Sequence, residues 1–264
     1  MNTEKIGLVL SGGGTKGVAH AGVLLFLEQK NIDIDVLACC SAGSIVGCLH
    51  VMGKSPKEIL DFFKSIYFFN WKHFTFNQSG LVSSSIFKHY LEPIFKDMQI
   101  KDLPKTVKIV ATELVSGTER IFEDDFKVMD AIIASCSVPG VATPFVYEEE
   151  IFCDGGILNN FPADIIREDC DKLIGVYVSP LQEVKFNDLH TIKSIISRSY
   201  DLLSYRIETK KFHYCDWFIS SKDLSNYGAF ERKGDRLEQI FEIGFHSAQA
   251  SFDDSLFNKK TLQN

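Results

Sequence analysis

Val36-Leu37-Ala38-Cys39-Cys40-Ser41-Ala42-Gly43 reads as a short apolar strand that runs into a serine among small residues. A helical stretch over residues 45–51 follows at once. A serine on a tight strand-to-helix turn has its hydroxyl pushed into the open, and small neighbours two before and two after relieve the crowding. The usual spelling of such an elbow is G-x-S-x-G. Here Cys39 stands at the first glycine and Gly43 at the second.

Outward from this segment, strand-like and helix-like stretches alternate. Residues 6–10 read as a buried strand, 17–29 as a helix, 36–40 as a strand, and the helix after Ser41 runs through His50. Ser55-Pro56-Lys57-Glu58 carries a helix start: serine caps, proline takes the first helical position and glutamate completes a capping box. Further strands are expected at 107–113, 120–122 and 173–178, and long helices at about 188–212 and 235–251. Alternation of this kind predicts an α/β fold whose mostly parallel central sheet is covered on both faces. Without a linker, repeat or low-complexity segment, residues 1–264 read as a single domain.

The composition is that of an ordinary globular protein, 45% apolar and 24% charged. A net charge of -7 with no basic cluster argues against nucleic acid as a partner. The apolar run over residues 6–10 is too short for a signal-peptide core, and no stretch has the length of a spanning helix. Seven cysteines without C-x-x-C spacing read as reduced thiols in a cytoplasmic protein. The aromatic run Tyr67-Phe68-Phe69-Asn70-Trp71-Lys72-His73-Phe74-Thr75-Phe76 reads first as satellite core. An acyl pocket wall or a membrane contact is the alternative.

Ser11-Gly12-Gly13-Gly14-Thr15-Lys16-Gly17 closes the first strand and opens the first helix. Gly12, Gly14 and Gly17 match the dinucleotide fingerprint G-x-G-x-x-G, and Asp33 and Asp35 lie near the expected distance of its acidic residue. That residue belongs at the end of the second strand, however, and both aspartates precede Val36. A Walker loop fits less well, because Gly17 rather than Ser or Thr follows Lys16. Backbone N–H groups at a helix start can instead hold the negative charge of a reacting ester, as an oxyanion hole.

A nucleophilic serine needs a group to take its proton. None of the seven histidines (His20, His50, His73, His89, His190, His213, His246) lies in a glycine-rich strand-end context. Asp154 does, in Ile151-Phe152-Cys153-Asp154-Gly155-Gly156. An aspartate at its ordinary pKa of about 3.9 is a weak base, so this one would need burial or close hydrogen bonding.

In order and spacing, Gly12-Gly13-Gly14-Thr15-Lys16-Gly17, Cys40-Ser41-Ala42-Gly43 and Asp154-Gly155-Gly156 resemble the motifs of the patatin-like phospholipase family. Ala134-Ser135-Cys136-Ser137-Val138-Pro139 and Asn159-Asn160-Phe161-Pro162 are similar to two further family segments. The resemblance implies a three-layer α/β/α sandwich and a lipid acyl hydrolase with a Ser–Asp dyad that needs neither metal nor cofactor. Ser41 would be the nucleophile, Asp154 its activator, and Gly12, Gly13 and Gly14 the oxyanion amides. Lys16, Gly17, Gly43, Gly155 and Gly156 would support the elbow and loops. Lys16 stands where the family commonly has arginine, so it keeps the charge without the bidentate fork.

The expected function is therefore hydrolysis of phospholipid, lysophospholipid or related acyl esters through an acyl-serine. Peripheral membrane contact would go with such a lipid substrate. The alternatives are acyl transfer through the same dyad, a catalytically silent lipid binder, and a dinucleotide-binding protein.

Overall fold

A computed structural model describes residues 4–66 and 86–257. The aromatic run at 67–76, with His73, lies outside them. Eight strands form one sheet: β1 (Ile6–Leu10), β2 (Val36–Cys40), β3 (Thr106–Glu113), β4 (Thr118–Phe122), β5 (Phe145–Tyr147), β6 (Glu150–Asp154), β7 (Lys172–Tyr177) and β8 (Trp217–Ser220). Their order is β5-β6-β3-β2-β1-β7-β8, with β4 paired to β3. The centre is parallel, as the alternation predicted, from β3 through β2, β1 and β7 to β8. The strands β4 and β6 run antiparallel to β3.

Among the described residues seven α-helices cover the sheet: α1 (Val18–Gln29), α2 (Ala42–Val51), α3 (Pro56–Ser65), α4 (Ile86–Phe95), α5 (Val128–Ser135), α6 (Ile192–Glu208) and α7 (Gly234–Ser251). Ser55 caps α3 with the capping box read from the sequence. Because side chains alternate across a strand, Leu8, Leu10, Leu37, Cys39, Val107 and Ile109 face one way, into the larger core. Six helices, all but α6, contribute to that core. Val9, Val36 and Ala38 face the other way, against Phe161, Ala163 and Ile166, with Tyr205 of α6 and Phe212 at its edge. The result is three layers of unequal weight. All seven cysteines are free, and among the described residues no helix is long and apolar enough to cross a membrane.

One feature of the sheet positions the site. The last residue of β2, Cys40, pairs with Val110 of β3. The last residue of β6, Asp154, pairs with Ala111, the next residue along. Since β4 occupies the opposite edge of β3 at Ala111, β2 and β6 share one edge and point at each other. Ser41 and Asp154, 113 residues apart in sequence, are delivered to adjacent ends of two strands by the register of a third.

Candidate active site

Ser41 occupies the turn between β2 and α2 with φ 49° and ψ −123°. Positive φ on a residue with a Cβ costs about 1–3 kcal/mol and persists only where the surroundings fix it. They do so here. The Ser41 N–H donates to Ser135 Oγ at 2.7 Å. Its carbonyl accepts from the Ser44 N–H at 2.8 Å and from Ser44 Oγ at 2.6 Å. Gly43 packs directly on the carbonyl of Leu10, where no side chain fits. Cys39, the departure from the elbow's usual spelling, is accommodated from the other side. A Cβ on Gly47, one turn into α2, would lie 2.6 Å from Cys39 Sγ. The room normally made by a glycine before the serine is made by a glycine after it.

The Ser41 hydroxyl donates to Asp154 Oδ2 at 2.6 Å. The other carboxylate oxygen, Oδ1, accepts from the Gly156 N–H at 2.7 Å, and the Cys40 thiol lies 3.9 Å away on the same atom. Asp154 is fixed through its backbone as well. Its N–H donates to the carbonyl of Ser137 at 2.9 Å, and its own carbonyl accepts from Thr112 Oγ1 at 3.1 Å. Burial pushes the Asp154 carboxyl up to about 6, against the opposing pull of the hydrogen bonds from Ser41, Gly156 and Cys40. The sequence required burial to make this aspartate a useful base, and the carboxylate is 5% exposed.

Among the described residues no histidine hydrogen-bonds to Ser41. His20 lies beneath the glycine loop, fully buried, with Nε2 at 2.8 Å from the carbonyl of Ser11. Burial holds its pKa down at about 4. His50 ends α2, its pKa also lowered by burial.

The glycine loop passes directly over the elbow. A Cβ on Gly12 would lie 3.1 Å from Ser41 Cβ and 2.3 Å from Asn160 Oδ1, so only glycine allows this approach. Gly14 has φ +60°, and a side chain there would strike the carbonyl of Ala229. Of the three expected oxyanion amides, that of Gly12 is already engaged, donating to the carbonyl of Asn160 at 3.1 Å. Among the described residues, the Gly13 and Gly14 N–H groups have no backbone acceptor. The bond to Asn160 anchors the loop at Gly12. Gly17 packs against Ala42. Lys16 is buried on the same turn, its ammonium pKa lowered by desolvation and partly restored by the charge of Asp201.

Asp33 and Asp35 lie at the opposite end of the sheet from the loop. Asp33 pairs with Lys105, and Asp35 accepts from the Ile6 N–H at the start of β1. Neither aspartate is thereby placed at the loop. Among the described residues no group of three or more His, Cys, Asp or Glu is arranged to hold a metal ion.

The sequence marks the segment of Ser135 and Ser137 only by its family resemblance, without a role for either, and does not mark Glu208. Ser135 and Ser137 hold the backbone of the two candidate residues. Glu208, buried at the end of α6, accepts from the N–H groups of Asn160 and Phe161 at 2.9 and 2.8 Å. It thus fixes the residue whose carbonyl anchors Gly12. All three act on backbone groups distant in sequence, so their roles are not written in their own neighbourhoods.

A cleft opens beside Ser41. Gly14 and Thr15 form its polar lip, and Ile45, Phe87, Cys136, Val138, Val141 and Ala142 are among its apolar walls. The arrangement offers a hydroxyl hydrogen-bonded to a carboxylate of raised pKa, two unengaged amides on the facing loop, and an apolar channel.

A family model described as patatin-like phospholipase matches residues 8–167. Lysophospholipase NTE1 of Meyerozyma guilliermondii is 30% identical over 181 residues, 66% of this chain and 12% of that protein. Mouse patatin-like phospholipase domain-containing protein 6 is 25% identical over 288 residues, 94% of this chain and 20% of its own length. The chain therefore spans a fifth or less of these two relatives. The crystal structure of VipD from Legionella pneumophila superposes with a TM-score of 0.52 at 13% identity, covering 94% of this chain and 66% of that one. At that identity the likeness concerns the fold.

Proposed function

This chain belongs to the patatin-like phospholipase family, and on that premise we propose that it hydrolyses acyl esters of phospholipids or lysophospholipids with Ser41 as nucleophile and Asp154 as base. The observation that carries the reading is the 2.6 Å hydrogen bond from Ser41 Oγ to a buried carboxylate, made at a strained turn facing an apolar cleft.

The acyl chain lies in the cleft, which brings the ester carbonyl to Ser41. As Oγ attacks the carbonyl carbon, its proton passes to Asp154 Oδ2. A carboxylate with a pKa of about 6 is a stronger base than an ordinary aspartate by about a hundredfold. The charge that develops on the carbonyl oxygen is met by the Gly13 and Gly14 N–H groups, which are fixed before the reaction begins. Asp154 returns the proton to the departing alcohol, leaving the acyl group on Ser41. Water, deprotonated by the same carboxylate, then attacks the acyl-serine, and Asp154 returns the proton to Ser41 Oγ as the fatty acid leaves. Gly156, donating to Oδ1, keeps the second carboxylate oxygen occupied and so directs Oδ2 at the serine. We read residues 1–264 as one catalytic domain acting in the cytoplasm on lipid.

Turnover of a lysophospholipid and of a water-soluble carboxylic ester by the parent protein, Ser41→Ala and Asp154→Asn tests this. The parent is active and both variants lose at least about a thousandfold in kcat. Activity retained in Asp154→Asn while the chain is folded would remove the dyad.

A further inference from the structure

Helix α6 is amphipathic in the reverse sense for a helix of a folded domain, which ordinarily turns its apolar stripe to the core. Its polar side faces the body of the protein. Arg198 donates to the carbonyl of Gln182 at 2.9 Å, Ser204 donates to the carbonyl of Gly156 at 3.4 Å, and Glu208 is buried on the loop at Asn160. The outer side carries Ile192, Ile196, Leu203 and Ile207, which fall on one line at 100° per residue. These four are 80%, 64%, 67% and 38% exposed. Ile195 and Leu202 widen the stripe, and Phe186, 94% exposed, precedes it. The exposed Ser199 and Arg206 fall on the same side. Among the described residues none of these six apolar helix side chains belongs to a core cluster, and exposed apolar surface of this extent marks an interaction site.

Three observations select the occupant. The helix that carries the stripe adjoins the candidate active site: Ser204, on its inner side, bonds the loop two residues from Asp154. Tyr200, its ring half in solvent, has its phenol pKa raised first by burial and then by the charge of Asp154. Charge comes second. Residues 182–211 contain six Lys and Arg against four Asp and Glu, one of the latter the buried Glu208, in a chain with 28 against 35. The segment is locally positive in a negative protein, which suits anionic headgroups and opposes pairing with a second copy of itself. Third, a 17-residue helix whose exposed side carries six apolar side chains, with Arg206 among them, has the form of an element lying in the plane of a membrane interface.

We propose that α6 docks the protein, apolar side down, on the surface of a membrane containing anionic lipid, beside the cleft that takes the acyl ester. This rests on the lipid-ester reading above.

Flotation with vesicles of phosphatidylcholine, alone or mixed with phosphatidylglycerol, tests it, using the full chain as Ser41→Ala so that no lipid is consumed. Binding is expected, stronger with phosphatidylglycerol and weakened by salt. Ile196→Asp/Leu203→Asp should lose about a hundredfold in vesicle affinity, and the milder Ile196→Ser/Leu203→Ser should fall between. In the otherwise unaltered protein, the same substitutions leave kcat/KM on a water-soluble ester unchanged while turnover of vesicle lipid falls. Vesicle binding by a chain that hydrolyses no ester would sustain the docking surface and sink the catalytic reading. A protein active on the soluble ester that ignores vesicles, or binds them equally well with both aspartates in place, overturns the proposal. So does a dimer in sedimentation that the aspartates dissolve, since a second copy would then be the occupant.

Discussion

Asp154→Asn is expected to abolish hydrolysis and, at neutral pH, to make the protein more stable. The carboxyl is 5% exposed and its pKa is pushed from an ordinary 3.8 to about 6, chiefly by burial. The folded state therefore prefers the protonated form. Below about pH 3 the group is neutral whether the chain is folded or not, and its burial costs nothing extra. As pH rises from about 4 to about 6 the unfolded chain ionises first, and stability falls. Above about 6 the full penalty stands, about 3 kcal/mol for a gap of this size. An asparagine keeps an acceptor for the Gly156 N–H and presents its amide to Ser41 Oγ, without a charge to bury. Urea unfolding of the two proteins at pH 8 should show the variant ahead by about 2–3 kcal/mol, or about 4–12 °C in thermal midpoint for a chain of this size. The two should converge by about pH 3. A variant less stable at pH 8, or an advantage that persists unchanged at pH 4, would refute the claim that Asp154 is a charge held at the expense of the fold.

Other expectations are more local. The acid limb of kcat/KM should titrate near pH 6, where Asp154 ionises in the free protein, and should survive His50→Gln; a limb near pH 4 would remove the burial argument. Ser135→Ala leaves the buried Ser41 N–H without its acceptor, at a cost of about 1–3 kcal/mol in urea unfolding and with a lower kcat. Gly47→Ala should destabilise by about 1–3 kcal/mol, because its Cβ would overlap Cys39 Sγ. Adding Cys39→Gly should recover most of that loss. Losses that simply add in the double variant would show that the two sites do not compensate.

The parallel centre of the sheet was legible because buried strands read as continuous apolar runs: Ile6–Leu10 and Val36–Cys40 have the boundaries their sequences predict. Less visible was the hairpin of Phe145–Tyr147 and Glu150–Asp154, where Val146 and Tyr147 face solvent and the turn is glutamate-rich. Trp217–Ser220, four residues at the edge of the sheet, is too short to show a period. Ser41 and Asp154 could be found because chemistry and glycines mark them. The roles of Ser135 and Ser137, whose segment the family resemblance marked, and of Glu208, which nothing marked, could not be read, since their partners are backbone groups 17 to 94 residues distant. The periodicity of α6 gave away a helix, yet the rule that the apolar side faces inward fails there. The buried face of α6 is spent on fixing the Asn160 loop, and the apolar one is left outside.

Labelling with a fluorophosphonate, mapped by peptide mass spectrometry, tests the central claim most directly. One adduct on Ser41 is expected, forming at a rate that rises through about pH 6 and collapses in Asp154→Asn. An adduct on another residue, or undiminished labelling of Ser41 in the folded asparagine variant, would contradict a serine activated by Asp154.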